Sequence, residues 1–206
     1  MTAQNACCRC ESVTMGYGRK MILSSCTLTV APGEVVGLVG ENGTGKTTLI
    51  KGLLGFLPLR AGSVTVTAPV GFCPQENFLN RSLTVAEHLR FIATIGHHRF
   101  VTEPAYRERL LEETRLSNFL NRQIGELSGG TYQKVKFVTA IWNRPALVVL
   151  DEPCDGFDWQ MYLLFWQLLG NLTAQGTGVL MISHLIHDWE RFQRIYTLKE
   201  GALEAA

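Results

Sequence analysis

Gly40-Glu41-Asn42-Gly43-Thr44-Gly45-Lys46-Thr47-Thr48 is the stretch from which the rest of the chain can be read. Before it runs Val35-Val36-Gly37-Leu38-Val39, short and mostly apolar, as a buried strand requires. After it, Leu49-Ile50-Lys51-Gly52-Leu53-Leu54 spaces its apolar residues as a helix does. Strand, G-x-x-x-x-G-K-T and helix together form the setting of a phosphate-binding loop. Glycines let the backbone curl so that successive N–H groups face an anion, and the following helix adds its unpaired N–H groups and the positive end of its dipole. In this pattern Gly40, Asn42, Gly43, Gly45 and Thr48 shape the cradle, Lys46 reaches the phosphates, and the Thr47 hydroxyl is placed to ligate Mg²⁺. A turn that only joins a strand to a helix would need neither the lysine nor both flanks.

Composition narrows the class. The 206 residues suffice for one domain with a sizeable core, and 46% hydrophobic with 18% charged residues is ordinary for a folded chain. The net charge of +1 gives no electrostatic reason to expect a nucleic-acid partner. Met1 to Cys10 lacks the basic start and apolar run of a secretory signal, and no apolar stretch approaches the ~18 residues of a membrane span. Cysteines stand at 7, 8, 10, 26, 73 and 154 without a paired framework, so free thiols are expected. Cys7-Cys8-x-Cys10 has no second ligand pair and is not expected to hold a metal.

Along the chain, residues 13–18, 27–30, 64–67 and 70–73 read as strands, with Ala31-Pro32-Gly33-Glu34 a turn and Pro74-Gln75-Glu76 closing the last of them. Residues 84–95 and the stretch from Pro104 to Leu116 carry helical spacing. Leu127-Ser128-Gly129-Gly130-Thr131-Tyr132-Gln133 then opens another helix, and Ser128, Gly129 and Gly130 make a second candidate anion site at a helix start. Ala146 to Leu150 reads as a buried strand ending in Asp151-Glu152-Pro153. Two carboxylates at the carboxyl end of a strand suit a divalent cation and water chemistry, with Asp151 toward the metal and Glu152 toward the attacking water. Val179 to Ile182 is one more strand, ending at Ser183-His184, where the imidazole could hydrogen-bond a phosphate. Residues 195–198 and 201–203 read as an edge hairpin.

Together these motifs resemble the nucleotide-binding subunit of an ATP-binding-cassette (ABC) transporter, in family order from Tyr17 to His184. The resemblance implies an α/β fold: a P-loop NTPase core with an N-terminal antiparallel β subdomain and a helical subdomain, approximately residues 76–143, inserted in one domain spanning 1–206. It implies Tyr17 as the adenine platform, Gln75 as the glutamine at the boundary with the helical subdomain, counted among both the catalytic and the metal residues, Asp151 as the metal carboxylate, Glu152 as the catalytic base, Asp158 as the aspartate of the next loop, and His184 as the switch histidine. Ser128, Gly129 and Gly130 would then cover the γ-phosphate of a second cassette, identical or not, paired head to tail. ATP and Mg²⁺ are the implied cofactors, separate transmembrane permease subunits the implied partners, and the cytoplasmic face of the membrane the implied place. Leu83 to Phe91 is similar to a stretch common in exporters. A soluble relative acting on ribosomes or DNA is the alternative, opposed by the single cassette, the near-neutral charge and the lack of a long heptad run. Two positions depart from the family: Thr44, where a smaller residue is usual, and Cys154-Asp155-Gly156-Phe157, where Thr-Ser-Gly-Leu is common.

Overall fold

The computed structural model describes residues 6–95, 104–184 and 188–205. Two sheets carry the fold. Strands β1 (Cys8–Tyr17), β2 (Lys20–Val30) and β4 (Ala61–Val66) form an antiparallel sheet in the order β2-β1-β4. The larger sheet has the order β5-β6-β7-β3-β8-β9, made of β3 (Val35–Val39), β5 (Val70–Cys73), β6 (Leu147–Asp151), β7 (Gly178–Ser183), β8 (Arg194–Lys199) and β9 (Ala202–Ala205). It is parallel except for the closing β8–β9 hairpin.

A parallel sheet must be covered on both faces, so its strands are apolar throughout. Along β6, Leu147 and Val149 pack with β1, β2 and helix α1 (Lys46–Leu53), whereas Val148 and Leu150 face the opposite layer. That layer holds α2 (Val85–Ile95), α3 (Pro104–Glu113), α4 (Gly129–Ile141) and α5 (Trp159–Ala174). The strand period of two thus assigns alternate residues of one strand to two different cores.

Helices α2 to α4 lie between β5 and β6 in the chain and are tied together by buried polar contacts. His88 Nε2 meets Thr139 Oγ1 at 3.0 Å, the Tyr106 hydroxyl donates to Ile141 O at 2.8 Å, and Asn143 donates to Ile92 O at 2.9 Å. Thr84 and Glu87 cap α2 reciprocally: Glu87 accepts from Thr84 N and Oγ1, and Glu87 N donates back to Thr84 Oγ1. This accounts for the Thr and Glu of the Leu83–Phe91 stretch by local structure alone.

Three differences from the sequence reading have local causes. The first two strands run longer than expected, from Cys8 and from Lys20, because Ser12 (φ 46°) and Ser25 (φ 52°) interrupt the alternation next to shifts in pairing register. The helix from Pro104 stops at Glu113, since Arg115 adopts φ 58° without a glycine to announce it; a 3₁₀ turn, Leu116–Phe119, follows. Cys8 and Cys10 are strand residues of the core and Cys7 lies just before them: Cys7, Cys8, Cys10 and Cys26 are all buried, and all six cysteines are free thiols.

Two substitutions test this packing. At Gly71 an added Cβ would sit 1.9 Å from the Ala140 carbonyl oxygen, where α4 lies on β5, and a backbone atom has no rotamer by which to yield. Gly71→Ala should therefore cost about 3 kcal/mol in urea unfolding; a midpoint at the native value would contradict this packing. The second concerns Glu34, whose carboxylate accepts from Arg194 Nη2 at 2.6 Å and from the Ala31 N–H at 2.7 Å, while Arg194 also donates to Thr29. Burial alone would raise the Glu34 carboxyl, but the Arg194 and Ala31 hydrogen bonds hold it below its ordinary value. A depressed carboxylate pKa contributes stability above the unfolded value, and that contribution is lost as pH falls through the folded one. Glu34→Gln should cost about 0.5–1 kcal/mol at neutral pH, discounted for the solvent around Arg194, with the gap closing below about pH 4.3. A gap that persists in acid would assign the effect to shape instead of charge.

Candidate functional site

The carboxyl ends of β3, β5, β6 and β7 meet at one edge of the large sheet. Val39 pairs with Ser183, Asp151 with Ile182, and Cys73 with Leu150, so the segments that follow each strand emerge side by side. They border an open cleft of about 300 Å³. Asn42, Gly43, Gly45, Lys46, Thr47 and Thr48 line it from the first loop; Gln75, Asp151, Glu152 and His184 line it from the other three. Residues drawn from four separate stretches of the chain thus face one space.

The loop after β3 is held by its own polar groups. Thr44 Oγ1 donates to Glu41 O at 2.9 Å, so this hydroxyl, at a position where a smaller residue is usual, helps close the turn. Lys46 is buried, and its ammonium donates to Gly40 O at 2.7 Å and Glu41 O at 2.9 Å. An anion in the cleft would compete with these neutral carbonyls for the lysine, and the charged acceptor is the stronger. Gly45, at φ 113°, caps α1 without a side-chain hydrogen bond, which leaves the first N–H groups of the helix facing the cleft. A Cβ on Gly45 would also meet Leu23 Cδ2 at 2.8 Å.

Opposite the loop stand two adjacent carboxylates. Asp151 and Glu152 are each only 8% exposed. Burial first, and the neighbouring Glu152 charge second, push the Asp151 carboxyl up to about 6, while Lys46 and Lys136 pull it the other way. A divalent cation reverses that balance, because a bound cation is the largest local charge and favours the carboxylate. Glu152 has φ 48°, a left-handed conformation that costs a non-glycine residue about 1–3 kcal/mol and is found where surrounding contacts enforce it. Here its N–H donates to Ile182 O at 2.9 Å. On its side chain, Oε2 accepts from Ser183 Oγ at 3.2 Å and lies 3.0 Å from His184 Nδ1. These contacts aim one carboxylate into the cleft, where it could orient or deprotonate water.

A metal ion would find hard oxygen donors here: the Thr47 hydroxyl, the Gln75 side-chain amide and the Asp151 carboxylate line the same cleft. Among the described residues no cluster of three or more His, Cys, Asp or Glu could cage a metal. The oxygen donors present, a hydroxyl, an amide and one carboxylate, are of the type Mg²⁺ takes, which binds through one or two protein ligands and completes its octahedron with phosphates and water. Such an ion would supply charge neutralisation on the phosphate oxygens.

Six of the expected residues, Ser128, Gly129, Gly130, Tyr17, Gly40 and Asp158, lie outside the cleft lining. Ser128, Gly129 and Gly130 form the exposed start of α4, where Ser128 caps the helix and its Oγ sits 2.9 Å from Thr131 Oγ1. Tyr17 is 47% exposed at the end of β1. Gly40 enters through its carbonyl only. Asp158 caps α5, accepting from Met161 N at 2.7 Å, and Phe157 packs edge-on against Phe165 at 5.5 Å, which anchors the loop after Glu152. The sequence reading missed Ile22, which lines the cleft, and the Ser183 hydroxyl on Glu152. It also missed Lys136, 3% exposed, which donates to Gln75 O at 2.7 Å. A lone lysine between Val135 and Phe137 was the available signal.

With this geometry established, the chain can be set beside known proteins. The ABC transporter family model matches residues 23–155. The chain is 33% identical over 208 residues to the Nod factor export ATP-binding protein I of Burkholderia thailandensis, covering 93% of this chain and 67% of that protein. It is 31% identical over 192 residues to an uncharacterized ABC transporter ATP-binding protein of Methanocaldococcus jannaschii, covering 93% and 73%. Among solved structures, an ATP-binding subunit of an ABC transporter superposes with a TM-score of 0.88 at 27% identity, covering 97% of this chain and 89% of that one. A dimeric bacterial ABC transporter cassette superposes with a TM-score of 0.81 at 25% identity, covering 96% of each. A P-loop cleft of this composition, on a fold and sequence shared with these cassettes, leads to one conclusion: the chain belongs to the ABC transporter family, as an ATP-binding subunit with the α/β P-loop NTPase fold.

Proposed function

We propose that this chain binds ATP with Mg²⁺, hydrolyses it with Glu152 as the base, and so drives export through separate transmembrane subunits. The observation that carries the chemistry is the Glu152 carboxylate, held by Ser183 and His184 in the same cleft as Lys46, Thr47, Gln75 and Asp151. In this reading Lys46 and the α1 N-terminus hold the phosphates, Thr47, Gln75 and Asp151 hold the metal, and Glu152 takes the proton of the attacking water. His184 steadies Glu152 and faces the γ-phosphate, and Tyr17 offers its ring to adenine.

No helix among the described residues is long and apolar enough to cross a membrane. Two observations support the coupling to a membrane partner. A groove of about 390 Å³ runs between edge strand β5 and helices α2 and α4, and Phe78 and Ile95 on it are 42% and 59% exposed. A smaller recess shares Phe72 with that groove and Thr47, Gln75 and Asp151 with the nucleotide cleft. We read the groove as the seat of a cytoplasmic segment of the transmembrane subunit, with residues 76–143 as the helical subdomain and the whole chain peripheral on the cytoplasmic face. The export direction follows the named role of the Burkholderia relative.

Replacing Glu152 by Gln keeps the shape and removes the base, so ATP should still bind while turnover falls by about 10²–10⁴-fold. Hydrolysis near the native rate would remove Glu152 from this role. The exposed Ser128, Gly129 and Gly130 are suited to cover a phosphate held by a second cassette, as the dimeric relative suggests. The Glu152→Gln chain should accordingly dimerise in light scattering with ATP and Mg²⁺ but not with ADP. Adding Ser128→Arg should abolish the dimer and leave ATP binding to the single chain intact. A trap variant that stays monomeric at saturating ATP, alone and with its membrane partner, would rule out the head-to-tail arrangement.

A further inference from the structure

Lys136 has no place in the reading above, and its surroundings demand one. It lies about two turns into α4 from Ser128, between Val135 and Phe137, and only 3% of it is exposed. A lysine this buried is stable only when its ammonium is satisfied. The ammonium donates to the main-chain oxygen of Gln75 at 2.7 Å. Its charge also reaches the Cys73 thiol and the Asp151 carboxyl. One buried cation thus stands behind the segment that presents Gln75 to the cleft and beside the carboxylate across from it.

We propose that Lys136 is a positioning residue for the metal site: by gripping the Gln75 carbonyl from inside the core, it holds the exposed Gln75 side chain where it meets the cation beside Asp151. The physical argument is one of geometry. Residues 74–78 follow edge strand β5, and Gln75, Glu76 and Phe78 are exposed, so little packing fixes this segment from outside. A charge-assisted hydrogen bond from a rigid helix supplies that constraint from the inside. Groups that orient a metal ligand typically change metal affinity by about 10–100-fold when removed. The phosphate-holding groups, Lys46 and the α1 N-terminus, are contributed by another element and do not depend on this bond.

The inference rests on Gln75 serving the metal, and the experiment separates the two claims. The affinity of the full-length chain for a fluorescent, non-hydrolysable ATP analogue is measured without metal and with Mn²⁺, and the enhancement by Mn²⁺ is the readout. Lys136→Met should leave metal-free affinity within about twofold and reduce the enhancement by about tenfold or more, whereas Lys136→Arg, which can still donate to the carbonyl, should retain most of it. Lys136→Gln, too short to reach, should match Lys136→Met and serves if that variant does not fold. Gln75→Ala is the comparison. If Gln75→Ala lowers the enhancement and Lys136→Met does not, the positioning role is wrong and the metal role of Gln75 survives. If Gln75→Ala changes nothing, the metal role falls, and this inference with it. Equal losses with and without Mn²⁺ in Lys136→Met would show a merely structural lysine and overturn the proposal.

Discussion

Hydrogen bonding between parallel strands keeps the carboxyl ends of β3, β5, β6 and β7 in step, and the chemistry of this protein depends on that register. Val39 opposite Ser183 and Asp151 opposite Ile182 place a phosphate loop, two carboxylates and a histidine at one edge. A slip of one residue in β6 would turn Asp151 and every other side chain of that strand to the opposite face. The register is protected because both faces are buried: each strand divides its side chains between two cores, and a slip would exchange those environments along the whole strand.

The cleft balances charge with little help from solvent. Asp151 and Glu152 are adjacent and buried, and burial, with the neighbouring Glu152 charge second, raises the Asp151 carboxyl. Two lysines answer them from different elements, Lys46 from the start of α1 and Lys136 from the interior of α4. Lys46 is bonded to loop carbonyls that a phosphate can outcompete, whereas Lys136 is fixed in the core. One cation is thus placed to follow the nucleotide and the other to remain with the protein. Glu152 adds a second constraint, a left-handed backbone held by the Ile182 carbonyl and the Ser183 and His184 side chains. That geometry orients the carboxylate before any substrate arrives, the condition from which the proposed role of Glu152 as base would gain most.

The surface around the cleft is organised by the same elements. The β1–β2 hairpin presses Leu23 and Ile22 against Gly45 and carries Tyr17 at its exposed tip. The loop after Glu152 is pinned by Phe157 on Phe165 and by the Asp158 cap, so Cys154 and Phe157, unusual for the family, are accommodated as packing residues. Edge strand β5 leaves its outer side to the apolar groove beside α2 and α4.

Most of this was legible in the sequence because local chemistry announces itself. Glycines at fixed offsets before Lys46, a strand ending in Asp151-Glu152, and a helix opening at Ser128 each follow from backbone sterics and hydrogen-bonding needs within a few residues. The family, the fold and ten of the residues facing the cleft were therefore readable from motifs. Tertiary structure alone decided what those motifs touch. The bulges at Ser12 and Ser25 and the helix stop at Arg115 carry no glycine signal; the Ser12 and Ser25 N–H groups donate across the hairpin, to Thr27 Oγ1 and Thr14 Oγ1. Ser183 reaches Glu152 across 31 residues, and Lys136 reaches Gln75 across 61. A one-dimensional pattern shows that a side chain is buried; only the packed sheet and helices determine which charge or carbonyl it is buried against.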